Sequence, residues 1–230
     1  MKTKSSHAPP GFTLVELAVV IILVALLSLV VLVGLSRAGA KSQEMTCVNH
    51  LKEIGVLYRM WADGQGGGAT SQARAANRAW EKALAEGNAG PFCWNYYGRM
   101  ANESGHGDPR LLVCPSDERQ PAADFASVTN NSHLSYFIGP GAGDSHPQSL
   151  LGGDRNVTLE AVPDAAYGFS PTTGQGNDVV INGSYLCWSL KMHSRGKSPG
   201  AGNILLGDGS VQQITSAAFL ITNAQRLIFP

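Results

Sequence analysis

Phe12 to Gly34 reads FTLVELAVVIILVALLSLVVLVG, and the class of the protein turns on that run. From Leu17 to Val33 only Ser28 is polar. A helix needs about 20 residues, at about 1.5 Å each, to cross a hydrocarbon core, and the run beginning at Phe12 is long enough. Lys2 and Lys4 precede it. Basic flanks stay on the cytoplasmic side, so the bulk of the chain is expected on the far face. Glu16 is out of place in such a run, because a carboxylate near the start of a membrane helix is costly and points to function.

The rest of the chain has a globular composition. Its 230 residues give room for one domain plus an extended element. Hydrophobic residues make up 43%, enough for a buried core, which excludes disorder over most of the length. Lys plus Arg and Asp plus Glu are both 17, so there is no basic excess to meet phosphates and no nucleic-acid partner is expected.

No proline falls between Pro10 and Pro91, so nothing interrupts a helix from Phe12 onward. Cys47, Leu51, Ile54, Tyr58 and Trp61 recur at spacings of four, three, four and three, which is one apolar stripe. Asn49, Lys52, Glu53 and Arg59 fall on the other faces. Asp63-Gly64 and the glycines at 66–68 end the pattern. The spacing predicts a helix of roughly 50 residues, about 75 Å long. Residues 12–35 form its transmembrane half, 36–63 its outer half, and 64–230 a globular α+β domain. Gly34 and Gly39, near the junction, are places to bend.

A second helix is expected from Thr70-Ser71 to Glu86, stopped by Gly87. Strands are expected at Arg110–Cys114, His133–Ile138, Asp178–Ile181 and Tyr185–Met192. Asn203–Ile214 reads as a hairpin with Asp208-Gly209 as a two-residue turn, and Ser216 as the cap of a short helix to Arg226. The sum is α+β: a long N-terminal helix packed on a small, mainly antiparallel sheet.

Three readings compete for the first forty residues. A secretory signal has a shorter apolar stretch, and Ser36-Arg37-Ala38-Gly39-Ala40 is only a fair cleavage site. A plain signal anchor is the second, with Glu16 snorkelling to the headgroups. The third rests on Gly11-Phe12-Thr13-Leu14-Val15-Glu16, which closely resembles the processing site of type IV prepilins and type II secretion pseudopilins. That resemblance implies a leader at 1–11, cleavage between Gly11 and Phe12 by a prepilin peptidase, and N-methylation of Phe12. It implies a pilin-like fold, with Glu16 serving assembly. The product would be a structural subunit of a pilus or pseudopilus, not an enzyme. Its partners would be the peptidase, other pilin or pseudopilin subunits in homo- or hetero-filaments, and an inner-membrane platform driven by a cytoplasmic ATPase. It would sit in the inner membrane by one span, N-terminus cytoplasmic and C-terminal domain periplasmic, or in an extracellular filament. Physics agrees: the mature amine of Phe12 is a cation, and Glu16 of a neighbouring subunit can neutralise it in low dielectric.

A second resemblance covers the outer part. Cys47-Val-Asn49-His-Leu51-Lys52-Glu-Ile54-Gly55, Cys114-Pro115-Ser116-Asp117, Leu134-Ser135-Tyr136 and Gly153-Asp154-Arg155-Asn156 resemble segments of pilin-like proteins of planctomycete and verrucomicrobial lineages. His193 with Asp208-Gly209 is similar to their H-X9-DG motif, although fourteen residues separate His193 from Asp208 here.

Catalytic signatures are absent: there is no GxSxG, HExxH, CxxC, Walker A or EF-hand pattern. His193, Asp208 and Asp154 are candidates for a metal or acid–base site, against a plain loop histidine beside a hairpin turn. They would carry the pocket of the alternative, a signal-anchored periplasmic enzyme or binding protein. No cofactor is expected. Asp117, Asp154, Asp178 and Asp208 are oxygen donors of the kind that hold Ca²⁺, but no spacing identifies a site. The four cysteines, Cys47, Cys93, Cys114 and Cys187, all lie beyond the apolar run and allow three connectivities, or free buried thiols. The second resemblance favours Cys47 with Cys114, leaving Cys93 with Cys187.

Overall fold

A computed structural model describes residues 11–64, 78, 93–105, 107–143, 146–159, 166–171, 174–194, 200–214, 219–221 and 223–230. The chain divides into two compact units, one ending at Ser42 and one beginning at Gln43. Helix α1, Leu14–Gly64, contributes to both. It continues through Gly34 and Gly39 as helix and ends at Gly64, where the sequence predicts.

The first unit holds Leu14–Leu32, 19 residues of mean hydropathy 3.1, long and apolar enough to cross a membrane. Its side chains are exposed all round. Ser28, the single polar residue of the core run, donates its hydroxyl to the Val24 carbonyl, so the helix satisfies it internally.

The second unit is α+β. Helix α2, Cys93–Ser104, lies beside the outer half of α1, whose Trp61 donates its indole N–H to Glu103 of α2. Among the described residues nine short strands follow: β1 Tyr136–Ile138, β2 Leu150–Asp154, β3 Val157–Thr158, β4 Asn177–Ile181, β5 Ser184–Trp188, β6 Gly202–Leu206, β7 Val211–Ile214, β8 Phe219–Ile221 and β9 Gln225–Phe229. Six form one sheet in the order β4-β9-β1-β2-β6-β7, and β3-β5-β8 form a second. Every strand pair in both is antiparallel.

Strand alternation builds two core layers. Tyr136, Ile138, Leu205 and Ile228 meet the helices, including the predicted stripe Cys47, Leu51, Ile54, Tyr58 and Trp61. Their neighbours Phe137, Ile204, Leu206, Leu227 and Phe229 pack on the other side with Leu186 and Trp188 of the small sheet. The large sheet is covered on both faces, which is why its inner strands β2 and β6 are buried at every position. Gly55 lets α1 approach closely: a Cβ there would lie 3.1 Å from Leu205 Cδ1.

Several expectations need correction. Arg110–Cys114 is no strand. Asp108 caps a 3-10 turn over Pro109–Leu112, with Pro109 at its start, and its Oδ1 accepts from Arg110 N. His133–Ile138 contributes strand only from Tyr136, and Tyr185–Met192 ends as strand at Trp188. No helix runs from Ser216 to Arg226: Phe219–Ile221 and Gln225–Phe229 are strands, and β9 is recruited between β4 and β1. The predicted helix from Thr70-Ser71 to Glu86 lies outside the described residues except for Arg78.

Candidate functional site

Two places carry the residues singled out by sequence. The first is the start of α1. Thr13 is its N-cap: its carbonyl accepts from Leu17 N and its hydroxyl from Glu16 N at 3.3 Å. Glu16 Oε2 in turn accepts from Thr13 N and from the Thr13 hydroxyl, both at 2.8 Å. This is a reciprocal capping box, and the Thr-x-x-Glu spacing that signals it was open to reading in the sequence. Glu16 therefore has a local partner at its own helix terminus. Gly11 and Phe12 are exposed just before it.

The second place is a buried polar cluster beneath the outer half of α1. Cys47 on α1 and Cys114 form a disulfide. One turn further along α1, His50 Nδ1 lies 3.1 Å from the Val113 carbonyl. Burial lowers the pKa of His50, against that bond and the charges of Glu53 and Asp108. His193 sits on the 3-10 turn Met192–Ser194, with its Nε2 3.3 Å from Cys114 Sγ and 3.4 Å from Asp154 Oδ2. The side chains of His193 and Asp154 are 3% and 0% exposed. Asp154 Oδ2 also accepts from the backbone N and side-chain amide of Asn203, at 2.6 and 2.9 Å. Its Oδ1 is buried without a hydrogen-bond partner. Burial pushes the Asp154 carboxyl up to about 6, against the pull of His193 and Asn203.

Each residue of Gly153-Asp154-Arg155-Asn156 has work in this cluster. Gly153 sits where a Cβ would meet the Asn203 carbonyl and the Phe137 ring, both at 2.7 Å. Arg155 grips Asp117 with two bonds, Nε to Oδ2 at 2.7 Å and an η nitrogen to Oδ1 at 2.8 Å. Its guanidinium lies 3.4 Å from the centroid of the Tyr167 ring. Ser135 donates to the same carboxylate at 2.6 Å. Burial works against ionisation of Asp117, but Arg155, Ser135 and Arg119 together hold its pKa below the usual range. Asn156 donates to the carbonyls of Ser189, Lys191 and Ala201 and so shapes the loop that carries His193. Met192, at φ 54°, is held in the left-handed region, unusual for a non-glycine residue, immediately before that histidine.

The Asp-Gly pair belongs elsewhere. Leu205 pairs with Val211, Gly209 N donates to the Leu206 carbonyl, and Leu206 N donates to the Ser210 carbonyl. The hairpin loop thus has three residues, 207–209, with Gly209 at φ 82° closing it, in place of the two-residue turn expected. Asp208 is exposed, its Oδ1 accepts from Ser210 N at 2.8 Å, and its carbonyl accepts from Arg59 of α1. His193 and Asp208 have separate partners, whereas His193 and Asp154 meet. The carboxylates named for Ca²⁺ are taken singly: Asp117 by Arg155, Asp154 by Asn203 and His193, Asp178 by Arg226, Asp208 by Ser210.

The second disulfide, Cys93 with Cys187, does not form. Cys93 is in the helix-side core, donating its thiol to the Ile228 carbonyl at 2.8 Å, and burial raises its pKa strongly. Cys187 lies on β5, between residues that pack in the opposite core layer, so the large sheet stands between the two thiols.

No protein-family model, curated protein or solved structure matches the chain. The fold itself defines the class: an α+β protein with one N-terminal apolar helix of membrane-spanning length.

Proposed function

We infer that the protein is a prepilin-like structural subunit, cut after Gly11, N-methylated at Phe12 and assembled through α1 into a pilus-like or pseudopilus filament. The observation that carries this is the register of Gly11, Phe12 and Glu16 with the start of an apolar helix that runs on, without a break, into an α+β unit. The all-round apolar surface of Leu14–Leu32 supports storage in the inner membrane and later burial among neighbouring helices. The Cys47–Cys114 disulfide agrees with a domain exported to an oxidising periplasm. Because lipid and helix bundle are both apolar, transfer between them gives little hydrophobic drive, and the Phe12 amine with Glu16 of a neighbour selects the axial register. Force comes from a cytoplasmic ATPase acting through an inner-membrane platform. The subunit performs no catalysis. The alternative, an anchored enzyme with a pocket at His193 and Asp208, is disfavoured because the His193 side chain is 3% exposed and Asp208 has partners of its own.

Glu16 separates charge pairing from capping. Gln at this position keeps the acceptor that caps Thr13 but loses the charge. Glu16→Gln and Glu16→Val are both expected to insert and be cleaved normally, and both to drop sharply from filaments. Normal incorporation of the Gln variant would reduce Glu16 to a helix cap and remove the pairing from the account.

A further inference from the structure

The disulfide and His193, with Asp154 beside the histidine, have the look of a metal site closed by oxidation. Ligand atoms of Cys47, Cys114 and His193 all lie within 4.8 Å of one another. A tetrahedral Zn²⁺ with bonds of about 2.3 Å to sulfur and about 2.0–2.1 Å to nitrogen and oxygen separates N from S by about 3.5 Å and N from O by about 3.3 Å. His193 Nε2 stands 3.3 Å from Cys114 Sγ and 3.4 Å from Asp154 Oδ2. To complete the figure the two sulfurs part from their bond to about 3.8 Å and the Asp154 carboxylate turns in toward them. Asp154 keeps one buried oxygen without a hydrogen-bond partner, and Asn203 holds the other in place. Two cysteines, a histidine and a carboxylate are all donors that zinc takes.

We propose that in the reduced chain Cys47, Cys114 and His193 bind one Zn²⁺, with the Asp154 carboxylate turning in from beside His193 as the fourth ligand, and that metal occupancy and the Cys47–Cys114 disulfide are mutually exclusive states of one site. Reduction takes two electrons and two protons from a dithiol, which closes to its own disulfide. Zn²⁺ then displaces the two thiol protons. In reverse, a disulfide oxidant takes two electrons from the bound thiolates, the Cys47–Cys114 bond forms, and the ion leaves. Both sulfurs are fully buried, so the metal is loaded before the chain is oxidised and holds α1 to the 114 and 193 segments until the covalent bond replaces it.

The test uses the full chain in detergent, isolated without oxidation and kept under a phosphine reductant, beside the oxidised chain. Titration with Co²⁺ is expected to give one equivalent per reduced chain, with thiolate-to-metal charge transfer and the intense visible bands of tetrahedral coordination, and none in the oxidised chain. The zinc-loaded chain is expected to show two sulfur and two nitrogen or oxygen neighbours by X-ray absorption. Glutathione disulfide is expected to release one equivalent of zinc as the bond closes. His193→Ala keeps all four thiols and is expected to weaken binding more than the roughly 100-fold that an outer-shell change costs. Cys187→Ser is expected to leave it unchanged. No uptake by the reduced chain, a shell of four sulfurs or of none, or binding indifferent to His193→Ala overturns the proposal; the X-ray shell needs no variant to fold.

Discussion

The two halves of α1 are one helix with opposite surfaces. From Leu14 to Leu32 apolar side chains face every direction and stand exposed, Leu23 at 54% and Val30 at 72%. In the outer half Cys47, Leu51, Ile54, Tyr58 and Trp61 form one stripe at 0–3% exposure, while Lys52, Glu53, Val56, Arg59 and Met60 face outward. A stripe states that one side has a core; an all-round apolar surface states that every side has an apolar neighbour, supplied by lipid or by other helices. The outer half is also fixed by specific chemistry: the disulfide, Trp61 to Glu103 and Arg59 to the hairpin loop.

The largest test of that contrast removes the covalent tie. The disulfide joins positions 67 apart in sequence, and loop closure of that length implies that Cys47→Ser costs about 4 kcal/mol. Denaturant unfolding of the detergent-solubilised chain, followed by tryptophan fluorescence, measures it. A loss under about 1 kcal/mol would mean that packing alone secures the outer half.

Packing is sharpened by the same truncation in each half. Leu51 is fully buried, so Leu51→Ala is expected to cost about 3 kcal/mol in that assay. Leu23 is exposed, and Leu23→Ala is expected to stay within about 0.5 kcal/mol. Comparable losses would erase the distinction between the halves.

The smallest effects lie at the hairpin that touches α1 through Arg59. Gly209 has φ 82°, and a β-branched residue resists that conformation, so Gly209→Val is expected to cost about 1–2 kcal/mol. Asp208→Asn keeps the side-chain oxygen that accepts from Ser210 and is expected to be silent. A large loss for Asp208→Asn, changed by calcium in matched thermal melts, would give Asp208 a metal role that the loop geometry does not require.

Sequence legibility follows the range of the interactions. The stripe on α1 and the β6–β7 hairpin rest on local periodicity and were readable. Helix α2 was readable and missed: Cys93, Tyr96, Tyr97, Met100 and Ala101 are buried at helical spacing, hidden among residues that suggest a loop. Pro109–Leu112 looks extended because Leu111, Leu112 and Val113 are apolar, yet Asp108-Pro109 is a turn-starting pair. The C-terminal strands were illegible locally, since β9 is decided by pairing with β1 and β4 far back in the chain. The site mixed both cases. Thr13 and Glu16 announce their capping box within four residues. His193 meets Asp154 and Cys114 only because Asn156 and a left-handed Met192 fold its loop inward, and no spacing along the chain encodes that.

The most direct test is the mature N-terminus. The chain is expressed in full with a prepilin peptidase, purified from the membrane and analysed by N-terminal mass spectrometry. The account predicts a chain beginning at N-methylated Phe12, and a Gly11→Val variant that remains uncut. A wild-type chain that keeps Met1, or begins near Ala40, would contradict it and make α1 an ordinary anchor or export signal.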